Sequence, residues 1–104
     1  MSNFTVRVEL HSATWQDYDA LHRAMANEGF SRTIRSDAGT THQLPTAEYV
    51  ISCGLTIEDV RERAKRAADR TGKSSEAIVA ETAKWAWYGL ADVSRSGTYR
   101  RYEV

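Results

Sequence analysis

The strongest constraint on the fold is a hydrophobic pattern whose period changes along the chain. Residues 4–10 alternate apolar and polar side chains, which is typical of a half-buried strand. After Thr14, apolar residues recur every three or four positions, and this spacing predicts an amphipathic helix over 14–28. Gly29 is placed to end that helix. The chain therefore begins with a strand followed by a helix.

The same two periods recur in the rest of the chain. Alternation predicts strands over 30–36 and 48–53, joined as an antiparallel hairpin by a long loop. The capping residues after Gly54 and an alanine-rich stripe predict a second helix over 56–71. The segment 76–83 is compatible with helix or strand, and we assign it as a strand because the first strand needs a partner.

Pro45 marks an interruption between the two hairpin strands. Proline has no amide hydrogen to donate to a strand ladder, so residues 43–46 are expected to form a connector without strand structure.

The order strand, helix, strand, strand, helix, strand predicts an α+β, ferredoxin-like βαββαβ sandwich. Two helices would cover one face of a four-stranded antiparallel sheet, and the other face would stay open. We expect one domain over 1–90 and a disordered tail over 91–104, which has few apolar residues. The open face is expected to carry Arg7, Glu9, Thr33, Arg35 and Ser52.

Charge and cysteine content indicate the cellular compartment and limit the binding partners to be expected. Fourteen basic and fourteen acidic residues give zero formal charge, so any binding to nucleic acid must rely on local groups. A lone Cys53 fits a reducing compartment, and the amino terminus has no secretory pattern. No segment approaches the roughly 20 apolar residues that a spanning helix needs. We therefore expect a cytoplasmic protein without membrane contact.

Neither the histidines nor the aromatic residues form a motif that establishes a reaction. His11, His22 and His42 are too scattered for a metal motif, so we expect no metal and no cofactor. An aromatic cluster near the carboxyl end would be able to stack on unpaired bases. Burial on the protein's own core, or in a dimer contact, is the more common fate of such a cluster, and we favour it. The cluster consists of Trp85, Trp87 and Tyr88.

Several motifs together resemble the GhoS-type antitoxins. The similarity extends over about residues 3–55 in sequence and over 56–90 in the order of elements. Its motifs are Thr5-Val6-Arg7-Val8, the run Leu21 to Met25, Gly29-Phe30-Ser31, Ile34, Asp37, Gly39, Gln43-Leu44 and Tyr49-Val50-Ile51.

The resemblance implies a fold and an activity. Proteins of this family are small, ferredoxin-like members of type V toxin-antitoxin systems, described as endoribonucleases that cleave the messenger RNA of the toxin. By this resemblance the partner would be RNA and the activity would be that of a metal-independent endoribonuclease. The resemblance also implies a basic residue for cleavage in the first helix, and this chain has His22 there, with Arg23 beside it.

The residues that would perform this chemistry are assigned from their placement. His11 or His22 would act as the base that activates a ribose 2′-hydroxyl, because histidine exchanges protons near neutral pH. Arg7, Arg23 and Arg35 would bind RNA.

The competing interpretation is a noncatalytic interaction module of bacterial or phage origin. It would form a homodimer, or bind a partner protein, through the open sheet face or through the aromatic cluster.

Overall fold

The computed structural model describes residues 1–94, and the last ten residues of the expected tail, 95–104, lie outside the described residues. The elements are β1 (Ser2–Leu10), α1 (Trp15–Asn27), β2 (Thr33–Arg35), β3 (Thr41–Gln43), β4 (Glu48–Cys53), α2 (Ile57–Asp69) and β5 (Ser75–Glu81).

Both helices form where the sequence predicted them, and each begins directly after its predicted capping residue. Their observed spans are slightly shorter than the predicted 14–28 and 56–71. The Thr14 hydroxyl accepts a hydrogen bond from the Asp17 amide, and the Asp17 carboxylate accepts one from the Thr14 amide, so α1 starts with a complete capping box. The Thr56 side chain caps α2 in the same way through the Asp59 amide. Gly29 has a positive φ of 97°, which glycine adopts without strain and which ends α1.

The central sheet has three antiparallel strands in the order β4-β1-β5. Alternate residues of β1 point to opposite faces of the sheet. One set is buried against both helices, where it meets Leu21 and Met25 of α1 and Val60 of α2. We call the opposite side the open face. The buried set of β1 is Phe4, Val6, Val8 and Leu10.

The expectation of a four-stranded sheet is wrong in one part. The chain after α1 touches β4 through a single bridge, in which Ser31 and Val50 exchange backbone hydrogen bonds of 2.8 and 2.9 Å. The Ser31 hydroxyl then accepts a hydrogen bond from the Thr33 amide. Such a local bond competes with strand pairing. The chain turns away at this point and forms a second, two-stranded sheet from β2 and β3.

The connector expected over 43–46 is also corrected, because its first residue belongs to β3. Gln43 pairs with Thr33, and the Leu44 amide donates to the Arg32 carbonyl at 2.8 Å. Pairing therefore continues up to the residue before Pro45, consistent with the missing proline amide.

The segment after β5 returns to this small sheet. The Gln43 amide donates to the Ala91 carbonyl at 3.0 Å, and the Val93 amide donates to the Thr41 carbonyl at 2.8 Å. Residues 91–93 of the expected tail thus run alongside β3. As a result, the segment 82–90 lies between the central sheet and the β2–β3 hairpin.

Candidate functional site

The open face carries one cation against three carboxylates in its central part. Arg7 lies opposite Glu48 on β4, with 3.9 Å between the guanidinium and the carboxylate. Glu9 lies opposite Glu76 on β5, and both side chains are exposed. The expected exposure of Arg7 and Glu9 is confirmed. Among residues 1–94, this part of the face therefore has a net negative charge, and Arg7 is its one cation.

His11 lies directly after β1. Its ring is exposed, as expected for a residue at a strand end, with Nδ1 3.2 Å from the Ser74 hydroxyl. Its Nε2 lies 3.7 Å from the Glu76 carboxylate, too far for a hydrogen bond. One ring nitrogen of His11 therefore remains accessible beside a carboxylate.

His22 lies on the opposite side of the sheet, on α1. It is only 7% exposed, and its Nδ1 is hydrogen-bonded to the Tyr49 hydroxyl at 2.6 Å. Burial, together with the smaller effect of the nearby positive charge of Arg32, lowers the pKa of His22 to about 4. Burial raises the pKa of the Tyr49 hydroxyl. The pair is therefore neutral at physiological pH.

The structure separates the predicted site residues. His11 lies at the end of β1, whereas His22 lies in the core, and the two rings share no hydrogen-bond partner. Arg23 is on the solvent side of α1 and forms an ion pair with Asp19, one turn earlier. Arg35 lies on the β2–β3 hairpin. No single site contains all the residues that the sequence suggested.

Arg35 contributes to a cleft between the β2–β3 hairpin, the start of β1 and the segment after β5. We call it the aromatic cleft because two indole rings line it. Its lining residues are Asn3, Arg35, Ser36, Asp37, Ala83, Lys84, Trp85 and Trp87.

Hydrogen bonds and ring contacts fix the two indoles in place. The Trp85 Nε1–H donates to the Thr5 hydroxyl at 2.9 Å, on the open face of β1. Trp87 packs against the His42 ring with 5.5 Å between centroids. His42 is itself held on both sides, with Nδ1 3.2 Å from the Leu90 carbonyl and Nε2 2.9 Å from the Thr40 hydroxyl.

The expectation that the aromatic cluster is buried on the protein's own core is wrong. Tyr88 is 94% exposed and Trp85 is 37% exposed. The chain crosses the open face at this point, where no helix covers it. A dimer contact through the same residues stays a prediction.

Asn3 and Lys84 line the cleft but were not predicted as site residues. Lys84 precedes Trp85, and a cation beside an aromatic residue was the available signal. Asn3 had no signal, since only the fold brings it to the cleft.

Within residues 1–94, no group of three or more histidine, cysteine or acidic side chains is arranged to hold a metal ion. The helices of that part of the chain are too short and too polar to cross a bilayer.

Comparison with known proteins agrees with the resemblance drawn from the motifs. A family model described as endoribonuclease GhoS matches residues 1–87. An uncharacterized protein, YdiZ, of Escherichia coli (strain K12) is 25% identical over 83 residues, which cover 79% of this chain and 86% of YdiZ. Its counterpart in Escherichia coli O157:H7 matches equally well. Because the family model covers most of the chain, including both helices and the whole central sheet, the protein belongs to the GhoS family.

Proposed function

We propose that this protein is a cytoplasmic endoribonuclease that acts without a metal ion, and that its substrate is the messenger RNA of a toxin. The activity follows the description of its family. The observation that carries the proposal on this chain is the state of its three histidines. His22 is buried, and His42 has both ring nitrogens hydrogen-bonded. His11 is exposed and has one ring nitrogen available beside Glu76.

In the proposed reaction, His11 acts as the general base. It removes the proton from a ribose 2′-hydroxyl, and the resulting oxygen attacks the adjacent phosphorus. A bond from phosphorus to the 2′-oxygen forms, while the bond to the 5′-oxygen of the next nucleotide breaks. The leaving 5′-oxygen takes a proton from water, so the products are a 2′,3′-cyclic phosphate and a 5′-hydroxyl. His11 then returns the proton of the 2′-hydroxyl to solvent. Glu76 stabilises the imidazolium that forms on His11.

Arg7 has a separate role in this proposal. It lies four residues before His11 on the same face of β1, which is about 13 Å along an extended strand. That separation suits a neighbouring phosphate of the RNA and not the phosphate that is attacked. Arg7 would therefore contribute to binding, and its loss would raise KM more than it lowers kcat.

Cleavage of labelled single-stranded RNA tests the proposal. The purified protein is incubated with a mixed RNA pool, with and without chelator, beside the variants His11→Gln and Glu76→Gln. We expect cleavage in the presence of chelator, a loss of at least about 100-fold in His11→Gln, and a smaller loss in Glu76→Gln. Lys65→Gln is the matched control, because it removes an exposed cation on α2, which packs on the opposite side of the sheet.

Two outcomes would contradict parts of the proposal. Intact RNA throughout, with protein shown to be folded, would exclude the nuclease activity on that pool and favour the noncatalytic module. Full activity in His11→Gln would refute the assigned base, while leaving the activity itself in place.

One observation favours the noncatalytic alternative. Ile78 on β5 is 69% exposed on the open face, where carboxylates would repel RNA. If a second copy or a partner protein covers this residue, Ile78→Lys should change the oligomeric state, as measured by light scattering. An unchanged monomer in both proteins would remove the support for a homodimer through the open face.

A further inference from the structure

We propose that the aromatic cleft binds single-stranded RNA by stacking unpaired bases on its indole rings and by pairing phosphates with Arg35 and Lys84. This inference rests on the proposed function, because it names where and in what form the RNA substrate binds. It adds a binding site at the start of β1, remote from His11 at the end of that strand.

The first support is that Trp85 is both accessible and fixed. Trp85 is 37% exposed, although its Nε1–H donates a hydrogen bond to the Thr5 hydroxyl. Thr5 is in turn hydrogen-bonded to Thr82 at 2.8 Å. An indole that is already ordered loses little conformational entropy when a base stacks on it. Such rings are typical of sites that bind single strands without sequence preference.

The second support is the arrangement that fixes Trp87. His42 can only donate to the Leu90 carbonyl through Nδ1, so the neutral ring accepts from the Thr40 hydroxyl through Nε2. Thr40 is also hydrogen-bonded to Ser36, which lines the cleft, at 2.7 Å. His42 is therefore a positioning residue that connects the hairpin, Trp87 and the returning chain.

The third support is the charge of the cleft. Neither Arg35 nor Lys84 forms an ion pair with another residue in 1–94, whereas Arg7 and Arg23 are both paired with carboxylates. Among the described residues, Asp37 is the one acidic residue that lines the cleft, so that part of the lining has a net positive charge. This is the reverse of the central open face, where carboxylates are in excess.

The chemistry of the cleft selects unpaired RNA over duplex RNA. Stacking on an indole requires the face of a base, and these faces are covered by neighbouring bases within a double helix. Phosphate pairing alone would not distinguish the two forms. The combination of rings and cations therefore predicts preference for single strands.

Binding is measured separately from cleavage by using a labelled RNA of about twelve nucleotides with 2′-O-methyl groups, which cannot be cleaved through the 2′-oxygen. The key comparison is Trp85→Phe with Trp85→Leu. Both variants lose the hydrogen bond to Thr5, but only Trp85→Phe retains an aromatic face. We expect Trp85→Phe to bind more weakly than wild type, because Thr5 no longer orders the ring, but clearly more tightly than Trp85→Leu, whose Kd should rise about 5- to 150-fold.

The charge contribution is tested through the salt dependence of binding. For single strands, each phosphate contact adds about 0.7 to the slope of log Kd against log salt. Arg35→Gln and Lys84→Gln should each reduce the slope by about that amount. The control Lys65→Gln, at an exposed cation on α2, should leave the slope unchanged. The variant His42→Phe tests the positioning role of His42. It retains a ring against Trp87 but loses both hydrogen bonds. We expect this variant to bind RNA less tightly and to show less quenching of indole fluorescence by RNA.

The outcomes separate this inference from the proposed function. Wild-type affinity and salt slope in Trp85→Leu, Arg35→Gln and Lys84→Gln would overturn the cleft as the binding site, even if the protein cleaves RNA. Equal weakening in Trp85→Phe and Trp85→Leu would overturn the stacking, and equal affinity for duplex RNA would overturn the single-strand preference.

Self-association that depends on Trp85, with RNA binding unaffected, would assign the cleft to a second copy of the chain. Loss of RNA cleavage in Trp85→Leu with recovery at high RNA concentration would support a binding role.

Discussion

Mild acid is expected to destabilise this protein through His22. The ring is 7% exposed, and its pKa falls from 6.5 to about 4 in the folded protein. In the unfolded chain the ring regains its ordinary pKa, so between these two values the unfolded state binds more protons than the folded state. The stabilisation from neutral His22 is therefore complete above about pH 6.5 and is lost progressively as the pH falls toward 4.

The size of the effect follows from the two pKa values. A difference of 2.5 units between 6.5 and about 4 corresponds to about 3 kcal/mol. By about pH 5, roughly 2 kcal/mol of this should already be lost. The pKa values of Asp17 and Glu28 are also lowered in the folded protein. Their ordinary values, 3.8 and 4.5, lie near or below the acid end of the pH range in which His22 acts. Their contributions are lost mainly below pH 5, so His22 dominates above it.

Urea unfolding at about pH 7.5 and about pH 5 measures this difference. The variant His22→Asn offers an amide to Tyr49 in place of Nδ1 but cannot titrate, so it should lose the roughly 2 kcal/mol dependence. Tyr49→Phe is the matched control. It should cost about 1–3 kcal/mol at both pH values, because it leaves the Nδ1 of a buried ring unpaired, and it should retain the dependence. An equal dependence in wild type and His22→Asn would refute the reasoning.

Further predictions concern the helices and their packing. Thr14→Ala should lower the free energy of unfolding by about 1 kcal/mol through loss of the capping box, whereas Thr14→Ser should retain the cap; urea melts of both variants check this. Gly29→Ala should cost about 1–2 kcal/mol, because the residue has a φ of 97°; a cost near zero in the same assay would contradict that reading. Met25→Ala should cost about 2–5 kcal/mol by leaving a cavity, and Met25→Leu less than about 1.5, as measured by thermal melts.

The sequence predicted those parts of the fold that depend on local patterns. Both helices follow from their caps and from a regular apolar stripe, and β1 follows from strict alternation. The fourth strand of the sheet was expected from a similar alternation. It is reduced to one bridge because the Ser31 hydroxyl bonds to the next residues of its own chain, and alternation does not reveal such a bond.

Sequence patterns predicted less of the candidate site, because segments that are far apart in the chain form it. Arg35 and the two tryptophans were each singled out, but the return of residues 91–93 to β3 brings them together, and no local pattern indicates that return. The burial of His22 could not be predicted for the same reason. The sequence placed His22 on the first helix, whereas its partner Tyr49 comes from a strand far along the chain.

Photo-crosslinking would show where on the protein single-stranded RNA binds. A single-stranded RNA containing 4-thiouridine is bound to the full chain and irradiated, and the crosslinked peptides are identified by mass spectrometry. If RNA binds to the open side of the protein, we expect crosslinks at Lys84, Trp85, Trp87 or Arg35, lost when a duplex of the same sequence replaces the single strand. Crosslinks confined to the exposed faces of α1 and α2, with none in the cleft, would contradict it.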